Sequence, residues 1–211
     1  MSQLSTITET LISGDGEVLQ KQVREALDAG LSASNILNDA LISGMDIVGA
    51  RMESGDMFIP EVLMAAQAMS EAVEILKPLL ADGQSTVVGK VIIGTVKGDL
   101  HDIGKNLVKM MLESAGFEII DLGVDISPED FVKAIIDNKP DIVGLSALLT
   151  TTMPMMKKSI QTIEESGLRK NLKIIVGGAP VNQAFADEIG ADGYAPDAGA
   201  ASKLAKSLLQ K

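Results

Sequence analysis

The stretch Lys90-Val-Ile-Ile-Gly-Thr-Val-Lys-Gly-Asp-Leu-His-Asp-Ile-Gly-Lys-Asn106 changes character twice. Val91–Val96 is a short, mostly β-branched run that reads as a strand, and Gly98–Asp102 is a polar turn. From Ile103 to Ala115 apolar residues recur at helical spacing. The same succession then repeats. Strands are predicted at Phe117–Asp121, Ile142–Ser146 and Lys173–Val176, with a short fifth at Gly193–Ala195. Helices are predicted at Pro128–Asn138, Met153–Ser166, Val181–Ile189 and Ala198–Leu209. Strand–helix alternation over five units predicts an α/β fold, a five-stranded parallel sheet with helices on both faces, because parallel neighbours need crossover connections. Such sheets bind ligands outside the carboxyl ends of their strands.

Upstream the pattern is helical and acidic. Residues 1–84 hold thirteen acidic and four basic residues, −9 of a net −11 in the 211-residue chain. That charge suits either steering of a basic partner or an ordinary solvated helix surface. Asp15 is a fitting N-cap for a helix carrying Val18, Leu19, Val23 and Leu27 on one face, with Gly30 as its stop. Ser34 reads as the cap of a longer run through Val48, and Pro60 suits the first turn of a helix bearing Val62, Leu63, Ala66, Met69, Val73 and Leu76. A leading helix over Leu4–Ile12 makes four, the number of a small bundle. Asp82–Thr86 is the expected linker between a helical domain, 1–84, and an α/β domain, 85–211.

Composition narrows the chemistry. The chain has no Cys, which removes disulfides, thiolate zinc sites, iron–sulfur ligation and a Cys nucleophile. No Lys/Arg stripe is interleaved with aromatics, so no nucleic-acid partner is expected. No stretch approaches the ~18 apolar residues of a membrane span, and the N-terminus lacks the pattern of a signal peptide. A cytoplasmic protein without a membrane partner is the expectation. His101 is the single histidine, so imidazole chemistry belongs there or nowhere.

Three polar segments follow predicted strands: Gly98–Asn106, Ser146–Thr152 and Gly177–Pro180. Asp99 stands two residues before His101, where it can accept the proton of one ring nitrogen and make the other more basic toward a metal. On its own the pair is the weaker sign, because a lone histidine beside a carboxylate is more often structural. With no second His and no Cys, a metal at His101 would have to arrive caged in a cofactor that supplies its other ligands.

Asp99-x-His101-x-x-Gly104, then Ser146-x-Leu148, then Gly177-Gly178 resembles the cobalamin-binding signature of methionine synthase and its relatives. The segment Val96–Asn106 looks like that loop down to Asp102 and Lys105. Met45–Gly49 and Gly55–Pro60 look like the helical cap that precedes the corrinoid domain in methyl-transferring members. The likeness covers nearly the whole chain. It is nearest to the stand-alone corrinoid proteins that serve methylamine, methanol, betaine or methoxyl methyltransferases. It implies a Rossmann-like, flavodoxin-like domain after a four-helix cap.

The resemblance also implies roles. His101 would be the lower axial ligand of cobalt in a cobalamin bound with its own base detached, and Asp99 its proton-sharing partner. Ser146 would bond into that pair or to the nucleotide tail. Gly98, Asp102, Gly104, Leu148, Thr150, Gly177, Gly178 and Ala198 would contact the cofactor, with Gly144 as a further wall of the slot. Met45 and Phe58 would do so from the cap, where Met52, Met57 and Met64 are further candidates. Lys105 and Asn106 face either a phosphate or solvent and are left outside the site. Asn38 departs from the Glu of methionine synthase-like caps. The implied function is a methyl carrier, incomplete alone. A substrate-specific corrinoid methyltransferase would load it as methyl-Co(III), and a second methyltransferase would pass the methyl to coenzyme M or tetrahydrofolate. A reductive activator would restore oxidised cobalt. The alternatives are the small cobalamin-binding subunit of an adenosylcobalamin-dependent mutase and a cobalamin-sensing regulatory module. A cofactor-free signalling domain would leave the motif spacing unexplained.

Overall fold

Short polar caps set the helix starts in the N-terminal part of the computed structural model, which describes residues 2–80 and 87–210. The expected linker, Asp82–Thr86, lies outside those residues. Helix α1 (Gln3–Ser13) follows Ser2, whose Oγ accepts the Ser5 amide at 3.2 Å, and α2 (Gly16–Asp28) follows Asp15, which accepts the Val18 amide at 3.1 Å. The third rod starts at Ser32, not Ser34, because it is the Ser32 hydroxyl that accepts the Asn35 amide, at 3.1 Å. A short α3 (Ala33–Asn35) runs into a π-helical segment (Ile36–Ile42) and then α4 (Ser43–Ser54). The wider coil brings Ser43 Oγ within 2.9 Å of the Asn38 carbonyl, five residues back. Helix α5 (Ile59–Leu80) has Pro60 in its first turn.

Each helix buries one stripe: Ile7 and Leu11 on α1, Leu19, Val23 and Ala26 on α2, and Val62, Ala65, Ala66, Met69, Ala72 and Leu76 on α5. The small residues Ala65 and Ala72 fix where that last stripe runs and turn Leu63 outward. Val18 is likewise exposed, since it lies about a quarter turn or more round α2 from the stripe of Leu19, Val23 and Ala26.

The α/β unit is built from Val87–Glu113 and Phe117 onward. Its strands are β1 (Lys90–Thr95), β2 (Glu118–Asp121), β3 (Ile142–Ser146), β4 (Lys173–Gly177) and β5 (Gly193–Ala195), all parallel in the order β2-β1-β3-β4-β5. Helices α6 (Ile103–Ser114), α7 (Pro128–Asn138), α8 (Met153–Glu165), α9 (Gln183–Ile189) and α10 (Ala198–Leu209) alternate with them. The expected helix at Val181 starts at Gln183, because Asn182 caps it by accepting the Phe185 amide at 2.9 Å.

Helices α7, α8 and α9 share one core with the strand residues Ile92, Val143, Leu145, Ile174 and Val176. The alternate strand positions, such as Val91, Ile93 and Ile142, are also buried and serve the opposite face, that of α6 and α10. Fully buried Phe131 of α7 is the largest side chain in that first core. Its ring lies over Gly94 of β1, where an added Cβ would come within 2.9 Å of Cζ. None of the described helices is long and apolar enough to cross a membrane.

The ring and the missing side chain are two halves of one packing solution. Phe131→Ala should destabilise the protein by about 3–5 kcal/mol and Gly94→Ala by about 1–3 kcal/mol in denaturant unfolding. Combining Gly94→Ala with Phe131→Leu should cost less than the sum of the two separate changes.

Candidate functional site

The strand order reverses between β1 and β3, whose connections leave toward opposite edges of the sheet. The loop after β1 carries Gly98, Asp99 and His101, and the loop after β3 carries Leu148–Thr152. Asp99 joins them. Its side chain is fully buried, and it receives bonds from both loops. Oδ1 lies 2.7 Å from His101 Nδ1 and accepts the His101 amide at 3.1 Å. Oδ2 accepts the Leu148 amide at 2.8 Å, the Leu149 amide at 3.3 Å and the Thr152 hydroxyl at 2.7 Å.

Burial alone would raise the Asp99 carboxyl above its ordinary value. The bonds from Thr152, His101 and the Leu148 amide outweigh it and hold the group well below the usual carboxylate range. Asp99 is therefore an anion at neutral pH, fixed by N–H and O–H groups directed at it.

This anchoring decides what His101 can do. With Nδ1 turned to Asp99, the second ring nitrogen, Nε2, is left on a half-exposed ring. The loop is further held by buried Thr95 at the end of β1, whose hydroxyl donates to the His101 carbonyl at 2.9 Å. The ring is thus presented from a fixed backbone and in a fixed orientation. Around it Leu100 is 72% exposed and Ile103 82% exposed, with Leu148 and Leu149 also exposed. Such apolar surface beside a metal-ready nitrogen suits a large planar ligand.

Among the described residues no cluster of three His, Asp or Glu could hold a bare ion. The donor set fits a metal that brings its other ligands with it. The end of the sheet beside it is also narrow. Gly178 has φ +132°, and a Cβ there would overlap the Ala147 carbonyl, so only glycine lets the β4 loop pass so close to the β3 loop. Ser146 and Gly177 stand side by side at the ends of β3 and β4. Gly104, in the first turn of α6, has no protein atom within reach of an added Cβ, so packing within the chain does not require glycine there.

The remaining expected residues divide. Ser146 makes no hydrogen bond to the Asp99–His101 pair; the side chain that closes on Asp99 from β3's loop is Thr152, which the sequence reading passed over. Its only sequence signal was a Thr directly before the Met153-Pro154 helix start. Thr150 is exposed in the same loop. Asp102 is exposed and takes the Asn106 side-chain amide at 3.1 Å. Ala198 opens α10 and is buried. On the helical unit Met45 is 2% exposed and Phe58 is 68% exposed. Lys105 faces neither phosphate nor solvent: its ammonium is buried against Asp121 Oδ1 at 2.6 Å and Asn106 Oδ1 at 2.8 Å.

Because the folded Asp99 carboxyl titrates low, the stability it supplies is complete above about pH 4, the ordinary aspartate value, and is lost as pH falls from there toward the depressed one. Denaturant unfolding at stepped pH should show that acid loss, and Asp99→Asn should flatten it. Thr152→Val should cost about 1.5–3 kcal/mol at neutral pH, the range for a bond to a charged group, and Thr152→Ser should restore most of it.

With that geometry in hand, the likeness to known proteins is specific. B12 binding domain families match residues 3–77 and 89–202. The chain is 42% identical to a corrinoid protein of Desulfitobacterium hafniense, over all of this chain and 99% of that one. It is 48% identical to dimethylamine corrinoid protein 1 of Methanosarcina acetivorans, over 85% and 84% of the two chains. The solved methanol:cobalamin methyltransferase complex of Methanosarcina barkeri superposes with a TM-score of 0.85 at 31% identity, covering 98% of this chain and 79% of that one. The chain belongs to the corrinoid proteins, and a cobalamin-type corrinoid is its cofactor.

Proposed function

We propose that this protein is a cytoplasmic methyl carrier that holds cobalamin through His101 Nε2. It would receive its methyl group from a substrate-specific corrinoid methyltransferase. A second methyltransferase, using coenzyme M or tetrahydrofolate, would remove it, and a separate reductive activator would keep the cofactor active. When bound, the corrinoid supplies the cobalt to which the methyl group is attached and from which it leaves. The observation that carries the reading is the buried, bridging Asp99 with His101 held on its outer side.

In this reading the chain's own residues bind, orient and move one proton. Asp99 Oδ1 and His101 Nδ1 share that proton. When it leaves, Nε2 becomes the stronger donor, and when it returns, Nε2 becomes the weaker one. Gly178, Gly177 and Ser146 would form the narrow end that admits the nucleotide tail, with Ser146 and Thr150 offering hydroxyls. Leu100, Ile103, Leu148 and Leu149 would give the ring system an apolar bed. Residues 1–84 would serve as the cap and 85–211 as the corrinoid-binding domain, with Phe58 offered from the cap. Support for a methyltransferase partner comes from the methanol:cobalamin methyltransferase complex and the dimethylamine corrinoid protein that this chain resembles.

Cofactor-free protein mixed with hydroxocobalamin should keep its colour through gel filtration, with the spectrum of a detached benzimidazole. His101→Ala should weaken retention about 10–100-fold or alter the axial-ligand spectrum, and Asp102→Ala should change both less. A colourless protein fraction, or equal and negligible effects of the two changes, refutes the assignment. The loaded protein alone should not demethylate methylamines, methanol, betaines or methoxy-arenes at an enzymatic rate, and steady turnover without a partner would show that it is no mere carrier.

A further inference from the structure

Two non-glycine residues among those described have positive φ: Lys139 and Asp125. Lys139 closes the C-terminal end of α7, where its amide bonds to the Ile135 carbonyl. Asp125, at φ +60°, lies in the β2–α7 connection and ends no helix. Strain of this kind persists only where surrounding bonds over-determine it, and the bonds here all lead to one place. Asp125 Oδ1 accepts the Gly98 amide at 2.7 Å, Oδ2 lies 2.9 Å from Lys97 Nζ, and the Asp125 amide donates to the Asp99 carbonyl at 3.0 Å. One residue thus grips three consecutive residues of the loop after β1.

The flanking residues make the grip rigid. The Ile126 amide donates to the Thr95 carbonyl and the Thr95 amide to the Gly123 carbonyl, each at 3.0 Å, so the connection continues the sheet past the end of β2. Asp99 is then held twice. Its side chain is tied to the loop after β3, and its main chain is tied to the connection after β2. The Asp99 amide itself donates to the Val96 carbonyl at 3.1 Å, so it is the peptides on either side, with the Gly98 amide and the Asp99 carbonyl, that depend on Asp125, and a shift of either would move His101. Gly98, at φ +83°, offers no side-chain resistance to that motion.

We propose that Asp125 is a positioning residue for the axial-ligand loop: it sets the backbone from which Asp99 aims His101, and it acts through those residues without touching the cofactor. The proposal rests on His101 as the cobalt ligand, and one of its tests does not.

Asp125→Gly removes the carboxylate and with it the bonds to the Gly98 amide and Lys97, leaves the main-chain bond to the Asp99 carbonyl as the one remaining hold, and relieves the left-handed strain, so the fold should survive it. Asp125→Asn keeps an acceptor for the Gly98 amide and tolerates left-handed backbone. In cofactor-free protein, hydrogen exchange of the Leu148 and Leu149 amides, which Asp99 covers, should quicken about tenfold in Asp125→Gly and stay at the wild-type rate in Asp125→Asn. In protein loaded with hydroxocobalamin and reduced to Co(II), the resonance spectrum should lose part of its single-nitrogen splitting in Asp125→Gly. Affinity for hydroxocobalamin should fall about tenfold, and Asp125→Asn should restore both. The proposal is overturned if Asp125→Gly matches wild type in exchange and splitting, or if Asp125→Asn is as damaging as Asp125→Gly. Wild-type protein without nitrogen splitting would instead reject His101 as the ligand, and the exchange comparison would still judge the grip.

Discussion

A fully buried carboxylate must be satisfied completely or it destabilises the fold. Asp99 meets that demand by drawing two loops together. Its Oδ2 collects two amides and a hydroxyl from the turn that opens α8, and its Oδ1 takes the amide and imidazole of His101. An anion just ahead of a helix N-terminus is favoured by the helix dipole as well as by the individual bonds. The same five bonds that let the charge exist in the interior fix the tautomer and aim of the one histidine. Stability and the proposed cofactor-holding role are therefore joined at one group.

Much of this was legible in the chain. The five strands could be placed because each is a short β-branched run closed by a polar segment, and the alternation with helices leaves a parallel sheet as the economical arrangement. Asp99 and His101 could be singled out because they are two residues apart in a loop that must follow a strand. Thr152 could not. It stands in a run of three threonines, and only the fold of the turn after β3 shows which one reaches a carboxylate 53 residues earlier. It holds the helix-capping position of α8 yet makes no capping bond there, since its hydroxyl is turned to Asp99. Ser146 carried the more recognisable motif and ended outside that network.

Helical periodicity was equally partial. It tells which stripe of α5 is buried, but Val62, Ala65, Ala66 and Ala72 claim the stripe and leave Leu63 outside. It also gave no hint of the π-helical segment at Ile36–Ile42, because a single widened coil leaves the spacing of Ile36, Leu37, Ala40 and Leu41 compatible with an ordinary helix. Long-range partners of polar residues are the common blind spot. Lys105 reads as a surface or phosphate-facing lysine until Asp121, sixteen residues on, is seen to receive it in the interior.

Asp121 and Asp99 show two ways of compensating a carboxylate near the ends of adjacent strands. Both stand at or just past the ends of adjacent strands. In both, burial would raise the carboxyl, but bonds to its oxygens hold it below the ordinary range. For Asp121 the leading bond comes from the Lys105 ammonium, with Lys109 3.6 Å away, so its charge is cancelled by cations that belong to the scaffold. For Asp99 the compensating groups are neutral amides and a hydroxyl, and the single ionisable one is His101. Among the described residues no lysine is bonded to Asp99, so the scaffold does not cancel its charge as it does that of Asp121. In the proposed carrier, a pair without a fixed cation keeps its shared proton able to respond to what binds at Nε2.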